Sequence, residues 1–139
     1  MSTTSDYAPS SSSSRLRVVE FFSGIGGWAR ALQLSRIPHE VCRAYDVNPA
    51  ANFVYEHNFK ETKVSTRSIV NLTCRELASL QADLWVMSPP CQPFTRNNET
   101  TSRDFRDSRS DALKHLIHLL QVLFHLTLSP IDNVYQQST

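Results

Sequence analysis

The feature that most constrains this chain is a junction. Leu16-Arg-Val-Val-Glu-Phe-Phe22, dense in β-branched and aromatic side chains, runs directly into Ser23-Gly-Ile-Gly-Gly27. The first reads as a strand, the second as a glycine turn that opens a helix. Trp28 to Ser35 has helical spacing, with Trp28, Ala31 and Leu32 predicted on one inward face, and Pro38 ends it. A second strand is predicted over Glu40 to Tyr45, ending at Asp46. Asn48-Pro49-Ala50 then has the chemistry of a helix start: Asn accepts from free amides, and Pro supplies a helical φ without an amide to orphan. That helix should reach about His57. A weak strand near Lys63 to Thr66, a helix over Cys74 to Leu80 with Leu77 and Leu80 inward, and a short apolar strand over Asp83 to Met87 follow. Ser88-Pro89-Pro90 halts the last strand. Strands alternating with helices at this pitch imply βαβ units and a parallel sheet, an α/β architecture amounting to half of a Rossmann-like domain. One more helix is predicted over Asp111 to Leu128.

Composition bounds what such a domain can do. With 139 residues there is room for one core. Met1 to Ser14 is rich in Ser and Thr without hydrophobic periodicity, which predicts a disordered arm over 1–15, a domain over 16–128 and a polar, divergent tail over 129–139. Lys+Arg 14 against Asp+Glu 13 gives a net charge of +1, which excludes a basic nucleic-acid coat and makes any nucleic-acid site local. Cys42, Cys74 and Cys91 are widely spaced and form no Cys-x-x-Cys pair, so neither a disulfide framework nor a zinc site is expected. Reduced thiols and the lack of a secretory signal in the first residues suit a cytoplasmic or nuclear chain. The apolar run Leu113 to Leu128 is broken by Lys114, His115, His118, Gln121 and His125, so no membrane span is expected. His115 and His118 have chelate spacing but no evident carboxylate or thiol partner, and no metal is expected.

Two constellations carry chemistry. The glycine loop lies at the C-terminal end of the first strand, where backbone amides can approach a ligand. It lacks the last glycine of the dinucleotide fingerprint, which disfavours a dinucleotide; a tight turn with no ligand is the alternative. Asp46, roughly 20 residues on and at the end of the next strand, stands where an acid accepts from a ribose diol, so loop and acid together indicate a nucleoside-bearing cofactor. The second constellation is Ser88-Pro89-Pro90-Cys91-Gln92-Pro93-Phe94-Thr95. Two prolines fix the backbone and present Cys91 on a rigid turn, as a nucleophile would be presented, with Arg96 the nearest cation. An incidental cysteine in a proline-rich turn is the alternative. Arg96, Arg103, Arg106 and Arg109, with Phe94 and Phe105 among them, read either as a phosphate-contacting, base-stacking loop or as a solvated one diluted by Glu99, Asp104 and Asp107.

Through Phe21-Phe-Ser-Gly-Ile-Gly-Gly27, Asp46-Val47-Asn48 and Pro89-Pro90-Cys91-Gln92, the chain resembles the cytosine-5 methyltransferase family. Ser88-Pro-Pro-Cys-Gln-Pro-Phe-Thr-Arg96 and Asp107-Ser108-Arg109 look most like the branch that methylates the anticodon loop of tRNA-aspartate. The resemblance covers Leu16 to about Leu120. It implies a Rossmann-like S-adenosyl-L-methionine-dependent methyltransferase fold, truncated after about four strands, in an N-terminal fragment. It implies that Ile25, Gly26 and Gly27 contact S-adenosyl-L-methionine, that Asp46 holds its ribose, that Ile69 and Val70 lie beside the adenine, and that Ser88 lies near the methionine end. Val70 stands where the family commonly has an acid. Cys91 would be the catalytic nucleophile, and tRNA the substrate, with DNA as the alternative and an inactive cofactor- or RNA-binding remnant as another. The family adds a carboxyl from a Glu-Asn-Val motif on the next strand and an Arg-x-Arg farther on; neither stands here in that form. Asp132-Asn133-Val134 is the nearest counterpart, but its acid is one methylene shorter and Pro130 argues against a central strand. Without further strands, the fourth strand should keep a bare edge and the last helix an uncovered apolar face.

Overall fold

The structure, a computed structural model, describes residues 15–90 and 110–135, with side chains as far as 125. Residues 1–14 of the expected arm, Cys91 and the arginine-rich stretch from Phe94 to Arg109 lie outside the described residues. Four strands, β1 (Leu16–Phe21), β2 (His39–Tyr45), β3 (Val64–Ser65) and β4 (Leu84–Met87), form one parallel sheet in the order β3-β2-β1-β4. Parallel neighbours need crossovers. These are α1 (Gly27–Ser35), α2 (Pro49–Asn58), and the connection through a 3-10 turn (Ile69–Asn71) and α3 (Cys74–Ser79). A last helix, α4 (Asp111–Tyr135), packs against the 3-10 turn and α3.

β1 is central and buried on both faces because its side chains alternate between two layers. Val19 and Phe21 face Ile69, Leu72, Leu77, Leu116 and Leu119, whereas Val18 shares the opposite face with Leu32 and Val86. Phe21 stacks on Tyr45 of β2 at 5.6 Å between ring centres and tilts against Trp85 of β4 at 5.2 Å. Each such fully buried side chain stabilises the fold by about 1.5–3 kcal/mol. Register carries the strands to a common end: Phe21 lies opposite both Tyr45 and Met87.

Local chemistry sets the helix starts. Asn48 Oδ1 accepts from the amides of Ala50 and Ala51, with Pro49 at the first helical position, as the sequence indicates. Thr73 and Glu76 form a reciprocal capping box on α3. Two expectations change. The inward face of α1 is Ala29 and Leu32 rather than Trp28, Ala31 and Leu32: the chain enters α1 through Gly26 in the left-handed region, which sets the helix phase and leaves Trp28 exposed at 42%. α4 also runs past Leu128 to Tyr135, through Pro130. Proline removes one amide from the ladder, but an established helix propagates more easily than it nucleates. Asp132-Asn133-Val134 therefore lies on a helix, not on a further strand.

Among the described residues β4 pairs only with β1, and Ile117, Leu120 and Phe124 of α4 are exposed. The bare edge and uncovered face expected from the sequence are both present there. No described helix is long and apolar enough to cross a membrane.

Candidate cofactor site at the C-terminal edge of the sheet

The loops that leave β1, β2 and β4 are tied together at one edge. Ser23 donates its amide to Tyr45 O at 3.1 Å and Ser88 donates its amide to Phe21 O at 3.3 Å, so the strand pairing continues one step beyond the ladder on each side of β1. Phe22 turns the chain off β1 with φ +53°, a left-handed conformation unfavourable for a bulky residue and held here by those flanking bonds. Gly24 (φ +53°) and Gly26 (φ +96°) complete the turn.

The three glycines are not equivalent. A Cβ at Gly26 would come within 2.3 Å of the Phe59 ring, so packing against α2 and its C-terminal residue demands glycine there. A Cβ at Gly27 would meet nothing within 4 Å, and one at Gly24 likewise. At Gly27, where φ is ordinary, no described residue explains the missing side chain; the space in front of it is open.

Asp46 is the hub of the edge. Its Oδ2 accepts from the Gly24 amide at 2.8 Å and its Oδ1 from the Asn48 amide at 2.9 Å, so one carboxylate braces both the glycine loop and the start of α2. Asn52 Nδ2 donates to the Asp46 carbonyl at 2.8 Å, which fixes the residue from beneath. A carboxylate has about four lone-pair directions. Two are used, and each oxygen keeps one for a hydroxyl donor. Ile25, Val47 and Val70, on the loops after β1, β2 and β3, are exposed apolar side chains, while Ile69 is buried in the core. The edge thus offers open backbone at Gly27, acceptor sites on Asp46 and aliphatic surface around it, a donor and acceptor set that fits a ribose and a flat base. Ser88 stands across from the glycine loop, where its Oγ accepts from Trp28 Nε1–H at 2.9 Å.

Beneath the loop lies a group the sequence reading did not single out. Glu20 is 1% exposed; its Oε2 accepts from the Tyr55 hydroxyl at 2.8 Å, and its Oε1 has no partner among the described residues. Burial pushes the Glu20 carboxyl up from its ordinary range, a rise the Tyr55 hydroxyl only partly offsets. Burial and the neighbouring Glu20 push the Tyr55 hydroxyl up as well. An acid inside an apolar strand, immediately before a glycine turn, was the available signal.

Seven of the eight sequence-derived site residues are described; Ile25, Asp46 and Ser88 on loops, Gly27 at the start of α1 and Val70 in the 3-10 turn stand exposed or half-exposed at this edge. Gly26 and Ile69 support the edge from within. A concavity of about 500 Å³, lined by Ile25, Gly27, Arg30, Gln33 and Phe59, runs between α1 and α2 and includes neither Asp46 nor Ser88. The site is the open shelf above the strand ends. No group of three or more His, Cys, Asp or Glu among the described residues is placed to hold a metal ion.

A parallel sheet with helical crossovers, whose strand ends carry a glycine loop and an acid of this kind, defines an α/β domain of Rossmann-like architecture. Residues 16–123 match the family model for C-5 cytosine-specific DNA methylase, and the chain belongs to that family. It is 44% identical over 105 residues to the human tRNA (cytosine(38)-C(5))-methyltransferase, covering 76% of this chain and 26% of that protein. It is 42% identical over 122 residues to a DNA (cytosine-5)-methyltransferase of Dictyostelium discoideum, covering 87% of this chain and 31% of that one. The crystal structure of S. pombe Dnmt2 methyltransferase superposes with a TM-score of 0.66 at 37% identity, over 79% of this chain and 31% of that chain. The chain thus spans about a quarter to a third of the length of these relatives.

Proposed function

We propose that this chain carries the cofactor half of a reaction that transfers a methyl group from S-adenosyl-L-methionine to carbon 5 of a cytosine in tRNA. The observation that carries the reading is the Asp46 carboxylate, which joins the glycine loop to α2 at the edge where Ser88 leads into Pro89, Pro90 and Cys91. When bound, S-adenosyl-L-methionine supplies an electrophilic methyl group on a sulfonium. In this reading Asp46 accepts from the ribose hydroxyls, Gly27 admits the ligand to the backbone, and Ile25, Val47 and Val70 cover the base. The Cys91 thiolate adds to carbon 6 of the cytosine, which raises electron density at carbon 5. After transfer, loss of the carbon 5 proton returns the electron pair and expels the thiolate. A loop nucleotide in tRNA is already unstacked and costs less to present than a paired base. The relatives named for tRNA favour tRNA; the Dictyostelium relative named for DNA keeps DNA as the competing substrate.

A second reading, cofactor binding without turnover, is favoured by one observation. Asp132 sits within α4, so it does not occupy the strand position from which the family's glutamate assists addition to the ring. Transfer of labelled methyl to total tRNA and, separately, to DNA distinguishes the readings, with Cys91→Ala alongside. Label in tRNA that disappears in the variant is the expected result. Undiminished label in Cys91→Ala overturns the thiolate assignment, and preferential label in DNA overturns the substrate. Calorimetric binding of the cofactor with no label in either nucleic acid supports the second reading.

A further inference from the structure

Another concavity, of about 250 Å³, lies on the α3 face of the sheet and is lined by Arg43, Tyr45, Ser65, Arg67, Glu76 and Leu80. None of these belongs to the cofactor shelf. Its two cations differ. The Arg67 guanidinium is anchored: it pairs with Glu76 Oε1, which neutralises it, and donates to the Asn71 carbonyl. Arg43, half-buried on β2, makes no side-chain hydrogen bond or ion pair among the described residues. Five N–H donors and a full positive charge are thus left without an acceptor at a place partly withdrawn from water. Two residues along the same strand, and so on the same face, Tyr45 is 6% exposed, and its hydroxyl has no hydrogen bond among the described residues either. Burial raises the pKa of that hydroxyl, although the neighbouring Arg43 and Arg67 pull it down, so it keeps its proton beside two guanidiniums. Ser65 Oγ accepts from the Arg67 amide at 3.2 Å and retains its own proton to give.

Donors therefore outnumber acceptors in this cavity, and its missing occupant is an anion. Two guanidiniums and two hydroxyls converge from β2, β3 and the loop after β3, more directions than the planar pair of oxygens of a carboxylate takes up; the tetrahedral oxygens of a phosphate suit them. Volume sets a second limit. Sites for whole small molecules run to about 300–1,000 Å³. This one admits a phosphate group whose parent molecule stays outside.

We propose that this cavity holds one backbone phosphate of the tRNA substrate, bound by Arg43 and Tyr45 on a flank of the sheet apart from the cofactor shelf. This rests on the tRNA reading above and adds to it a docking point for the RNA. Binding of tRNA to the whole chain, followed by fluorescence anisotropy across a salt series, reads such a contact directly, because each neutralised phosphate steepens the fall of affinity with salt. Arg43→Gln should weaken binding roughly tenfold at low salt and flatten the plot of log affinity against log salt by roughly 0.7–0.9. Tyr45→Phe keeps the ring stacked on Phe21 and removes no charge, so it should weaken binding about threefold and leave the slope unchanged. Arg43→Lys should keep the slope and only part of the affinity, since it retains the charge without the planar fork. Arg75→Gln, an equal loss of charge at an exposed position of α3 outside the cavity, should leave affinity and slope as in wild type. Equal losses in Arg43→Gln and Arg75→Gln overturn the inference, as does an unchanged affinity in Arg43→Gln. Calorimetric binding of inorganic phosphate that Arg43→Gln abolishes, with tRNA affinity intact in that variant, also overturns it and gives the site to a free phosphate. Each of these results leaves the tRNA reading standing. Failure of the folded wild-type chain to bind tRNA removes that reading and the inference with it.

Discussion

On its β2 side, β1 meets a corner closed by polar cross-links between distant parts of the chain. Asp46 spans the glycine loop and α2, Glu20 reaches Tyr55, and Asn52 holds the Asp46 carbonyl. On its β4 side, the sheet ends in a strand with one described partner, covered by a helix that buries Leu116 and Leu119 and leaves Ile117, Leu120 and Phe124 exposed. The first region stores its stability in a few directional contacts, each costly to leave half-made. The second stores it in apolar packing on one helix face, while Ile117, Leu120 and Phe124 on the other stay exposed. The candidate site belongs to the first region, because a ligand shelf needs fixed donors and acceptors rather than area.

Substitutions on α4 should expose that asymmetry most sharply. Leu116→Ala opens a cavity under β1 and should cost about 2–5 kcal/mol in urea unfolding. Leu120→Gln, one turn along on the outer face, should change stability by no more than about 0.5 kcal/mol. Equal losses at the two positions would mean that the outer face is covered after all. Between these extremes lies Tyr55→Phe. It removes the hydroxyl that serves the buried Glu20 carboxyl and should cost about 1–3 kcal/mol, although it deletes a single oxygen. Thr73→Ala, which breaks the capping box of α3, should cost about 1 kcal/mol and leave cofactor affinity untouched.

Glu20 also gives the corner a pH signature. Its folded-state pKa is raised, chiefly by burial, so the folded chain keeps this proton to higher pH than the unfolded chain does. The associated stability is full below the unfolded pKa and is lost as pH rises through the folded value. Glu76 runs the other way. Its pKa is lowered by the Thr73 hydroxyl and amide and by Arg67, so its contribution is present above the unfolded pKa and is lost as pH falls through the folded value. Urea midpoints measured in steps from acid to neutral pH should therefore decline less with rising pH in Glu20→Gln than in wild type. A parallel pair of curves would remove Glu20 from the account.

What the sequence made legible was local. The strand, glycine turn and helix are adjacent in the chain, and the Asn48-Pro49 start needs only three residues to be understood. The alternation of elements led to the parallel sheet, and the spacing from Gly26 to Asp46 led to the shelf. What escaped depended on distance or on phase. Glu20 and Tyr55 are 35 residues apart and meet only once α2 has packed on the sheet. The outward turn of Trp28 follows from the left-handed Gly26, which a helical wheel does not register. The extent of α4 escapes because the polar residues after Leu128 read as a tail, whereas the helix continues through Pro130 to Tyr135.

Calorimetric titration of the chain with S-adenosyl-L-methionine, wild type beside Asp46→Ala, tests the central claim most directly. The account predicts saturable one-to-one binding that falls roughly tenfold or more in the variant, which loses the ribose acceptor together with the brace on Gly24. Absence of binding in the folded wild-type chain, or binding of equal strength in the variant, would contradict it.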